Sequence, residues 1–224
     1  MEKKKLSKEL YQFLSEYITE HKRVMFEEIS SKRTRHITVV MEDIYQSQNA
    51  SAVVRTCDCF GIQDVHVIEN QNEYVINRDV VRGAANWVDI HKYETADEAI
   101  SALKGNGYLI AATTPGKASI SLDELPIDHK VAVVFGTEQT GISEKVAAAA
   151  DVSIKIPMFG FTESFNISVS AAICLNHMVT KLHKSNLDWQ LSEEEIWDLK
   201  ADWAEKTIKK GEIMVKEFYN KYNK

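Results

Sequence analysis

A chain of 224 residues can form one domain of ordinary size, with a small appendage and a real hydrophobic core. Its composition, 44% hydrophobic and 27% charged, is that of a soluble globular protein, and its net charge of −6 argues at first sight against an RNA partner. No apolar run approaches the roughly 20 residues of a membrane span, and the basic start leads into an amphipathic stretch, so we expect neither a membrane span nor a signal peptide.

The N-terminal arm, residues 1–36, differs from the rest of the chain in charge. It holds nine Lys and Arg against six Asp and Glu, whereas residues 37–180 hold nine against eighteen. Phosphate contacts depend on local clusters of cations more than on total charge, although a solvated helix face would show the same pattern. The cluster at the end of the arm consists of Lys32, Arg33 and Arg35.

Hydrophobic periodicity divides the chain into helices and strands. Short apolar or β-branched runs, which predict strands, occupy residues 37–41, 65–68, 87–90, 108–112, 131–135 and 152–156. Helical patterns occupy residues 7–28, 49–60, 95–104, 143–149 and 165–184, with Ser7 as the predicted cap of the first, and one or two helices follow residue 185. Several strands are too continuously apolar for a sheet with one wet face, which indicates parallel strands covered on both sides. The alternation predicts an α/β fold with a mostly parallel sheet between helices.

The pattern predicts three parts: a helical arm of residues 1–36, an α/β domain of residues 37–184 and a helical extension of residues 185–224. Three cysteines cannot all pair, and nothing implies export, so we expect a reducing, cytoplasmic setting. Cys57 and Cys59 lack partnering Cys or His residues, so we interpret them as packing residues of a helix and expect no metal site.

Polar residues follow the predicted strands in three segments. The first contains Asn49 and Ser51, which we predict as helix caps. It also contains Arg55, a lone cation among small and apolar neighbours that could instead form an ion pair with Asp58. The second opens into a glycine-flanked turn that carries Glu138, although an ordinary strand-to-helix turn capped by Ser143 would look similar. Because Ile142 stands where a phosphate-binding loop needs Lys, the pattern disfavours ATP chemistry.

The third segment begins with Pro157 and Gly160, which bar regular structure, and ends at a predicted helix start. There Ser164, Asn166 and Ser168 gather, and helix capping explains one of these polar groups rather than all three. Ligands of open α/β sheets bind beyond the carboxyl ends of the strands. We therefore expect the three segments to converge on one polar ligand site.

In order and spacing, the three segments resemble the motifs of the SpoU/TrmH class of SPOUT methyltransferases. The matches are N-x-S-A-x-x-R (Asn49 to Arg55), F-G-x-E-x-x-G (Phe135 to Gly141) and I-P-M-x-G-x-x-x-S-x-N-x-S (Ile156 to Ser168). The resemblance implies a deep trefoil knot and transfer of a methyl group from S-adenosylmethionine to a ribose 2′-hydroxyl of tRNA. The continuation R-T-C-D after the first motif is most similar to the enzymes that modify guanosine 18 of the D-loop, which makes this nucleotide the expected target.

The resemblance also implies where the cofactor binds. In this class the loops of the knot hold S-adenosylmethionine mainly through backbone groups, and Gly136 lets the backbone approach closely. By carry-over, Gly136, Ile156 and Phe165 line the cofactor and Thr113 lies near the adenine. Members of the class usually have Leu at the position of Phe165, so we expect the packing there to differ.

The resemblance assigns roles to five polar residues. The mechanism proposed for the class makes Arg55 the general base, whereas a guanidinium has a pKa above about 12 and normally stays charged. We therefore favour Arg55 as a cation that holds a phosphate and stabilises the emerging 2′-alkoxide. Asn49 and Asn166 would orient the ribose and Arg55, Ser164 would hydrogen-bond nearby, and Glu138 would fix its loop or the Arg of a partner subunit.

Partners follow from the same resemblance. The class forms homodimers through the knot, which predicts residues 156–183 as the contact region, and its terminal helices help to hold tRNA, which suits Lys32, Arg33 and Arg35. Neither a metal nor a membrane is implied. Two alternatives remain: 2′-O-methylation of another tRNA position or of rRNA, and a non-catalytic RNA-binding relative, which the five retained polar residues disfavour.

Overall fold

The computed structural model describes residues 6–114, 119–137 and 139–222, which form two compact units. The larger unit comprises Thr34–Trp189. The smaller unit combines the N-terminal residues up to Arg33 with the C-terminal residues from Gln190 onward. The arm and the extension, which the sequence separates, thus pack within the same unit. None of the described helices is both long and apolar enough to cross a membrane.

Helices and strands alternate through the larger unit as predicted. In the described residues the helices are α1 (Ser7–Ser15), α2 (Glu20–Ser30), α3 (Ser47–Cys59), α4 (Arg78–Val81), α5 (Ala96–Gly105), α6 (Glu144–Ala149), α7 (Ile167–His183), α8 (Glu193–Thr207) and α9 (Gly211–Tyr222), with a single 3-10 turn at Ala84–Asn86. The strands are β1 (Ile37–Glu42), β2 (Asp64–Ile68), β3 (Asp89–Tyr93), β4 (Tyr108–Thr113), β5 (Ile120–Ser121), β6 (Lys130–Phe135) and β7 (Val152–Lys155).

These strands form one parallel sheet in the order β3-β2-β1-β6-β4-β7-β5 across the described residues. Every residue of β1 and of β2 is buried, which confirms the prediction of strands covered on both faces. Successive residues point to opposite faces: Val39 and Met41 join the cluster packed by α3 and α7, whereas Val40 joins the cluster packed by α5 and α6.

Helix starts differ from the prediction in three places and agree in two. The predicted helix over residues 7–28 is divided into α1 and α2, and Ser7 donates its hydroxyl hydrogen bond to Asp198 instead of capping α1. Asn49 and Ser51, predicted as caps, lie inside α3, which begins earlier, at Ser47. Side-chain caps do start two helices as expected. These caps are Ser143, which accepts from the backbone N–H of Val146, and Asn166, which accepts from that of Ser168.

The smaller unit consists of α1, α2, α8 and α9. Lys200 on α8 is 1% exposed, and its ammonium group donates to Glu27 at 2.7 Å and lies 3.7 Å from the centre of the Trp197 ring. An ion pair and an aromatic face therefore compensate this buried charge. The same unit also buries Arg33, whose guanidinium lies 5.4 Å from the centre of the Trp203 ring.

A polar cluster occupies β2 and β3 near their amino ends. Asp64 accepts hydrogen bonds from Arg35 and from the His91 ring. His66 stacks on His91 with ring centres 4.8 Å apart, and its buried Nε2 has no hydrogen-bond partner among the described residues. Burial, together with the positive charge of His91, lowers the pKa of His66 to about 4, whereas the hydrogen bond that His91 donates to Asp64 raises the pKa of His91.

The His66 pKa predicts a stability that depends on pH. In the unfolded chain a histidine titrates at about 6.5, so between pH 4 and that value the unfolded state binds more protons than the folded state. The free energy of unfolding should therefore be fully retained above about pH 6.5 and fall toward pH 4. We expect His66→Phe to reduce this acid loss by up to ~3 kcal/mol, measured by urea unfolding between pH 4.5 and pH 7.

His91 supplies the comparison of opposite sign. Because the pKa of His91 is raised in the folded protein, His91 adds to the free energy of unfolding at pH values below the pKa of an unfolded histidine. This stabilisation is lost as the pH rises through the raised pKa of the folded state. We therefore expect His91→Gln to steepen the acid loss, whereas His66→Phe flattens it. An unchanged pH dependence in His66→Phe would show that His66 is protonated in the folded state over this range.

Candidate active site

The loops predicted to bind the cofactor are those at Thr113, Gly136 and Ile156. They follow three strands that are neighbours in the sheet. β6, β4 and β7 lie side by side and run parallel, so their carboxyl ends meet at one edge. At that edge the hydroxyl of Thr113 donates to the carbonyl of Val134 at 2.8 Å, and the backbone N–H of Thr114 donates to the carbonyl of Ile154 at 3.2 Å. The ends of the three strands are thus joined directly by hydrogen bonds. Residues 115–118, which continue the loop after β4, lie outside the described residues.

The turn after β6 is tightly closed. Thr137 and Gly141 exchange two backbone hydrogen bonds of 3.0 Å each, and Gly141 adopts φ 71°. A Cβ atom on Gly136 would lie 2.1 Å from the carbonyl oxygen of Gly141, so the turn admits no side chain there. This fits the expectation that Gly136 permits a close approach of backbone. Glu138, the acid predicted for this turn, lies outside the described residues.

Glu42, at the end of β1, connects the sheet by hydrogen bonds to Ser143, which follows this turn. Its carboxylate is 5% exposed and accepts hydrogen bonds from the backbone N–H of Ser143 at 2.9 Å and from its hydroxyl at 2.5 Å. Glu42 was not among the residues predicted from the sequence. The sequence did contain a signal for this residue. Glu42 is an acid that directly follows the apolar strand run over residues 37–41, and a carboxylate buried there needs hydrogen-bond partners.

A hydrogen bond between asparagines joins the first and third motifs. The side-chain N–H of Asn166 donates to Asn49 Oδ1 at 3.1 Å across 117 residues of chain, and Asn49 Nδ2 donates to Gln46 Oε1 at 3.0 Å. Asn166 Oδ1 also accepts from the Ser168 hydroxyl at 2.6 Å. The expected convergence of these two segments is therefore observed, since the starts of α3 and α7 meet at this pair.

Arg55 lies in a groove between α3 and α7. The groove is an open cavity of about 690 Å³ with a mostly apolar lining. Arg55 is exposed there and forms no ion pair with a carboxylate among the described residues, so the alternative of a structural pair with Asp58 is not observed. The other lining residues are Ala52, Thr56, Cys59, Phe60, Val80, Ser168, Val169, Ala172, Ile173 and Asn176.

The other predicted residues of the third segment do not take part in the hydrogen bond between the two asparagines. Ile156 is half-buried, Ser164 is exposed and Phe165 is 43% exposed. Two further aromatic rings of this segment are almost fully exposed, at 96% for Phe159 and 109% for Phe161. The segment between β7 and α7 therefore presents a largely apolar and uncovered surface.

The three cations predicted to contact RNA have different surroundings. Arg33 is 2% exposed and packs on Trp203, so its guanidinium does not face solvent. Arg35 forms ion pairs with Asp64 and, at 2.8 Å, with Asp89, which makes it part of the polar cluster near the amino ends of β2 and β3. Lys32 has a side chain 62% exposed and pairs with Glu28 one turn earlier. Arg33 and Arg35 are therefore engaged within the protein, whereas the side chain of Lys32 is largely exposed.

Metal ligation has no structural basis in the described part of the chain. No group of three or more His, Cys, Asp or Glu side chains in these residues could hold an ion. Cys57 is buried and Cys59 is exposed, both on α3.

Comparison with known proteins decides the family. Residues 36–176 match the SpoU rRNA Methylase family, which is more than half of the chain. The chain belongs to the SpoU rRNA methylase family. The SpoU match covers the asparagine pair, the Arg55 groove and the turn after β6, so the geometry described above is that of a SpoU domain.

Similar proteins support this SpoU assignment over nearly the full length. A tRNA (guanosine(18)-2′-O)-methyltransferase of Borreliella burgdorferi is 45% identical over 196 residues, which is 88% of this chain and 90% of the relative. The protein of the same description from Thermus thermophilus is 32% identical over 190 residues, covering 84% of this chain and 98% of the relative. The crystal structure of the A. aeolicus TrmH/SpoU tRNA modifying enzyme matches with a TM-score of 0.77 and 29% identity, over 84% of this chain and 98% of that structure.

Proposed function

We propose that this SpoU protein transfers a methyl group from S-adenosylmethionine to the ribose 2′-hydroxyl of guanosine 18 in tRNA. The observation that carries the proposal is the 45% identity, over 88% of the chain, to an enzyme described by that activity. A tRNA substrate also favours a cytoplasmic location. The trefoil knot expected for the class belongs to the same proposal.

The loops after β4, β6 and β7 fit a cofactor of this kind. They offer backbone donors and acceptors at one edge of the sheet, a glycine whose position admits no side chain, and a partly apolar surface from Ile156 and Phe165. We assign cofactor contacts to Thr113, Gly136, Ile156 and Phe165. When bound, S-adenosylmethionine supplies an electrophilic methyl group, so the chain needs to supply orientation and charge stabilisation.

Arg55 is the proposed source of that stabilisation. Its exposed guanidinium cation can hold an RNA phosphate and lower the energy of the alkoxide that forms as the 2′-hydroxyl loses its proton. Asn49 and Asn166, already hydrogen-bonded to each other, are rigid enough to orient the ribose beside it. Ser164 and Glu138 complete the proposed set.

A second copy of the chain is the proposed cover of the groove between α3 and α7. The groove is mostly apolar, Val169 at its edge is 44% exposed, and the segment before α7 exposes Phe159 and Phe161. Exposed apolar surfaces of this kind mark interaction sites in soluble proteins. Because Arg55 lines the same groove, a homodimer through residues 156–183 would form the catalytic site at its interface.

Val169→Asp tests the homodimer. A carboxylate buried in an apolar interface costs several kcal/mol, so we expect this variant to sediment as a monomer and to lose methyl transfer. Val24→Asp is the matched control, since Val24 is 59% exposed on α2, outside the proposed contact region. A Val169→Asp protein that keeps the wild-type mass in analytical ultracentrifugation would contradict the proposed contact region.

A methyl-transfer assay separates the proposed function from its alternatives. The protein is incubated with S-adenosylmethionine carrying a labelled methyl group and, in separate reactions, with bulk tRNA and rRNA, and ribose methylation is then mapped. We expect label in tRNA at guanosine 18. Label at another tRNA position or in rRNA would replace the substrate, and RNA binding without label would identify a non-catalytic relative.

In the smaller unit, the proposal for RNA contact rests on Lys32. Its ammonium group is largely exposed, whereas Arg33 is buried and Arg35 is paired within the larger unit. The pair with Glu28 is exposed and contributes little, so it leaves Lys32 available to a phosphate.

A further inference from the structure

The segment between β2 and the 3-10 turn is fixed against α3. The backbone N–H of Asn77 donates to the hydroxyl of Ser51 on α3 at 2.8 Å, and the side chain of Asn77 caps α4 by accepting from Asp79 and Val80. Ser51 lies one turn before Arg55, so both are on the same side of α3. The short helix α4 is therefore held beside the residue proposed to stabilise the alkoxide.

The contacts of α4 show which of its residues are buried and which are exposed to solvent. Val81 is 3% exposed and packs in the core, and Val80 lines the groove that also contains Arg55. Arg78 and Arg82 are both exposed, and they lie at the two ends of this short helix, Arg78 as its first residue and Arg82 directly after its last. Neither guanidinium forms an ion pair with a carboxylate in the residues that the structure describes. Asp79 is adjacent in sequence to Arg78, a spacing that does not make the two side chains face each other on a helix.

Arg82 has a backbone conformation that an arginine does not favour. Its φ of 50° and ψ of 34° are left-handed, and Gly83 continues in the same region with φ 83°. A residue with a Cβ atom is disfavoured there by roughly 1 kcal/mol relative to glycine. Nothing in the fold requires a long cationic side chain at this exposed position. A strained residue of this kind points to a role for the side chain itself.

The positions of the arginines within residues 37–180 support that role. Residues 37–180 contain nine basic residues against eighteen acidic ones, and their three arginines are Arg55, Arg78 and Arg82. The other six cations are lysines. All three arginines lie on α3 or at α4, and a polyanion that approaches an acidic unit needs such a local cluster. Arginine is the side chain that binds phosphate through two hydrogen bonds at once.

We propose that Arg78 and Arg82 form a clamp for two backbone phosphates of the tRNA beside the target ribose. The clamp rests on the proposed tRNA substrate and deepens it, because it assigns RNA contacts to α4. Asn77 fixes the spacing between the clamp and Arg55 through Ser51. Phosphates held at the clamp would orient the strand so that its 2′-hydroxyl reaches the groove.

Arg82→Gly tests the clamp with little risk to the fold. Glycine adopts the left-handed conformation without the Cβ penalty, so the variant should unfold at an unchanged or higher urea concentration. We expect its dissociation constant for tRNA to rise about five- to tenfold at 0.1 M salt, and the slope of log affinity against log salt to fall by about 0.7–0.9. Arg78→Ala should act similarly, and Arg82→Lys should restore most of the salt slope.

Controls separate the clamp from general charge effects and from the proposed function. Lys130→Ala removes an exposed cation at the start of β6, at the opposite end of the strands, and should leave tRNA affinity within about twofold. In the clamp variants the KM for tRNA should rise while kcat and the affinity for S-adenosylmethionine stay unchanged. If Arg82→Gly and Arg78→Ala methylate tRNA as the wild-type protein does and keep the wild-type tRNA affinity and salt slope, the clamp is overturned. The proposed function then stands. If the wild-type protein neither binds nor methylates tRNA, both the clamp and the proposed function are overturned.

Discussion

Arg55→Ala is expected to lower the rate of methyl transfer by about 10²–10³, the effect of removing one charge-stabilising donor from an active site. The residue is exposed in the groove and forms no ion pair with the described carboxylates, so its loss should leave the free energy of unfolding within about 0.5 kcal/mol of wild type. Single-turnover transfer to tRNA measures the rate, and calorimetry with S-adenosylmethionine should show unchanged cofactor binding.

Arg55→Lys distinguishes the two roles suggested for this residue. Lysine keeps the positive charge but not the planar geometry, so a cation that stabilises the alkoxide should be partly replaced by it. We expect Arg55→Lys to recover part of the rate lost in Arg55→Ala at every pH tested. If lysine recovers nothing between pH 6 and pH 9, simple cationic stabilisation is wrong. Arg78→Ala is the neighbouring comparison, since it should change KM rather than kcat.

Gly136→Ala is expected to abolish the tight turn after β6. The added Cβ atom would lie 2.1 Å from the carbonyl oxygen of Gly141 and 2.3 Å from the backbone nitrogen of Ile142, so the backbone must move. We expect a stability loss of about 1–3 kcal/mol, typical of overpacking, measured by urea unfolding. We also expect an affinity for S-adenosylmethionine at least about tenfold weaker, or ~1.4 kcal/mol, measured by calorimetry.

Gly105→Ala is the matched control, at the end of α5 and outside both the proposed cofactor loops and the proposed contact region. A Cβ atom there meets no atom within 4 Å, so the substitution is accommodated in open space. Its stability should stay within about 0.5 kcal/mol of wild type. Equal cofactor affinity in the two variants would mean that the turn after β6 does not contribute to the cofactor site.

Much of the sheet could be predicted because each strand carries its own signal. The continuously apolar runs over residues 37–41 and 131–135 correspond to β1 and β6, which are buried on both faces and adjacent in the sheet. The two-residue strand β5 and the four-residue helix α4 gave no signal, since they are too short to show a period. The caps Asn49 and Ser51 were predicted wrongly because α3 starts before them.

Pairings across long separations could not be predicted from the residues alone. The hydroxyl of Ser7 donates to Asp198 over a separation of 191 residues, which is why the arm and the extension belong to the same unit. Likewise, Glu42 accepts hydrogen bonds from Ser143 only because β1 and β6 are neighbours in the sheet. The order of strands in a parallel sheet depends on all crossover connections together, and no local pattern encodes it.

By itself, the sequence determined the α/β class, the family motifs and the residue types that the chemistry needs, since periodicity and spacing are local properties. The tertiary structure alone decided which cations are exposed to solvent. Lys32, Arg33 and Arg35 look alike in the sequence, yet packing exposes the first, buries the second on Trp203 and pairs the third with Asp64. It equally decided that Asn49 and Asn166 touch, because side-chain contacts follow the packing of α3 against α7.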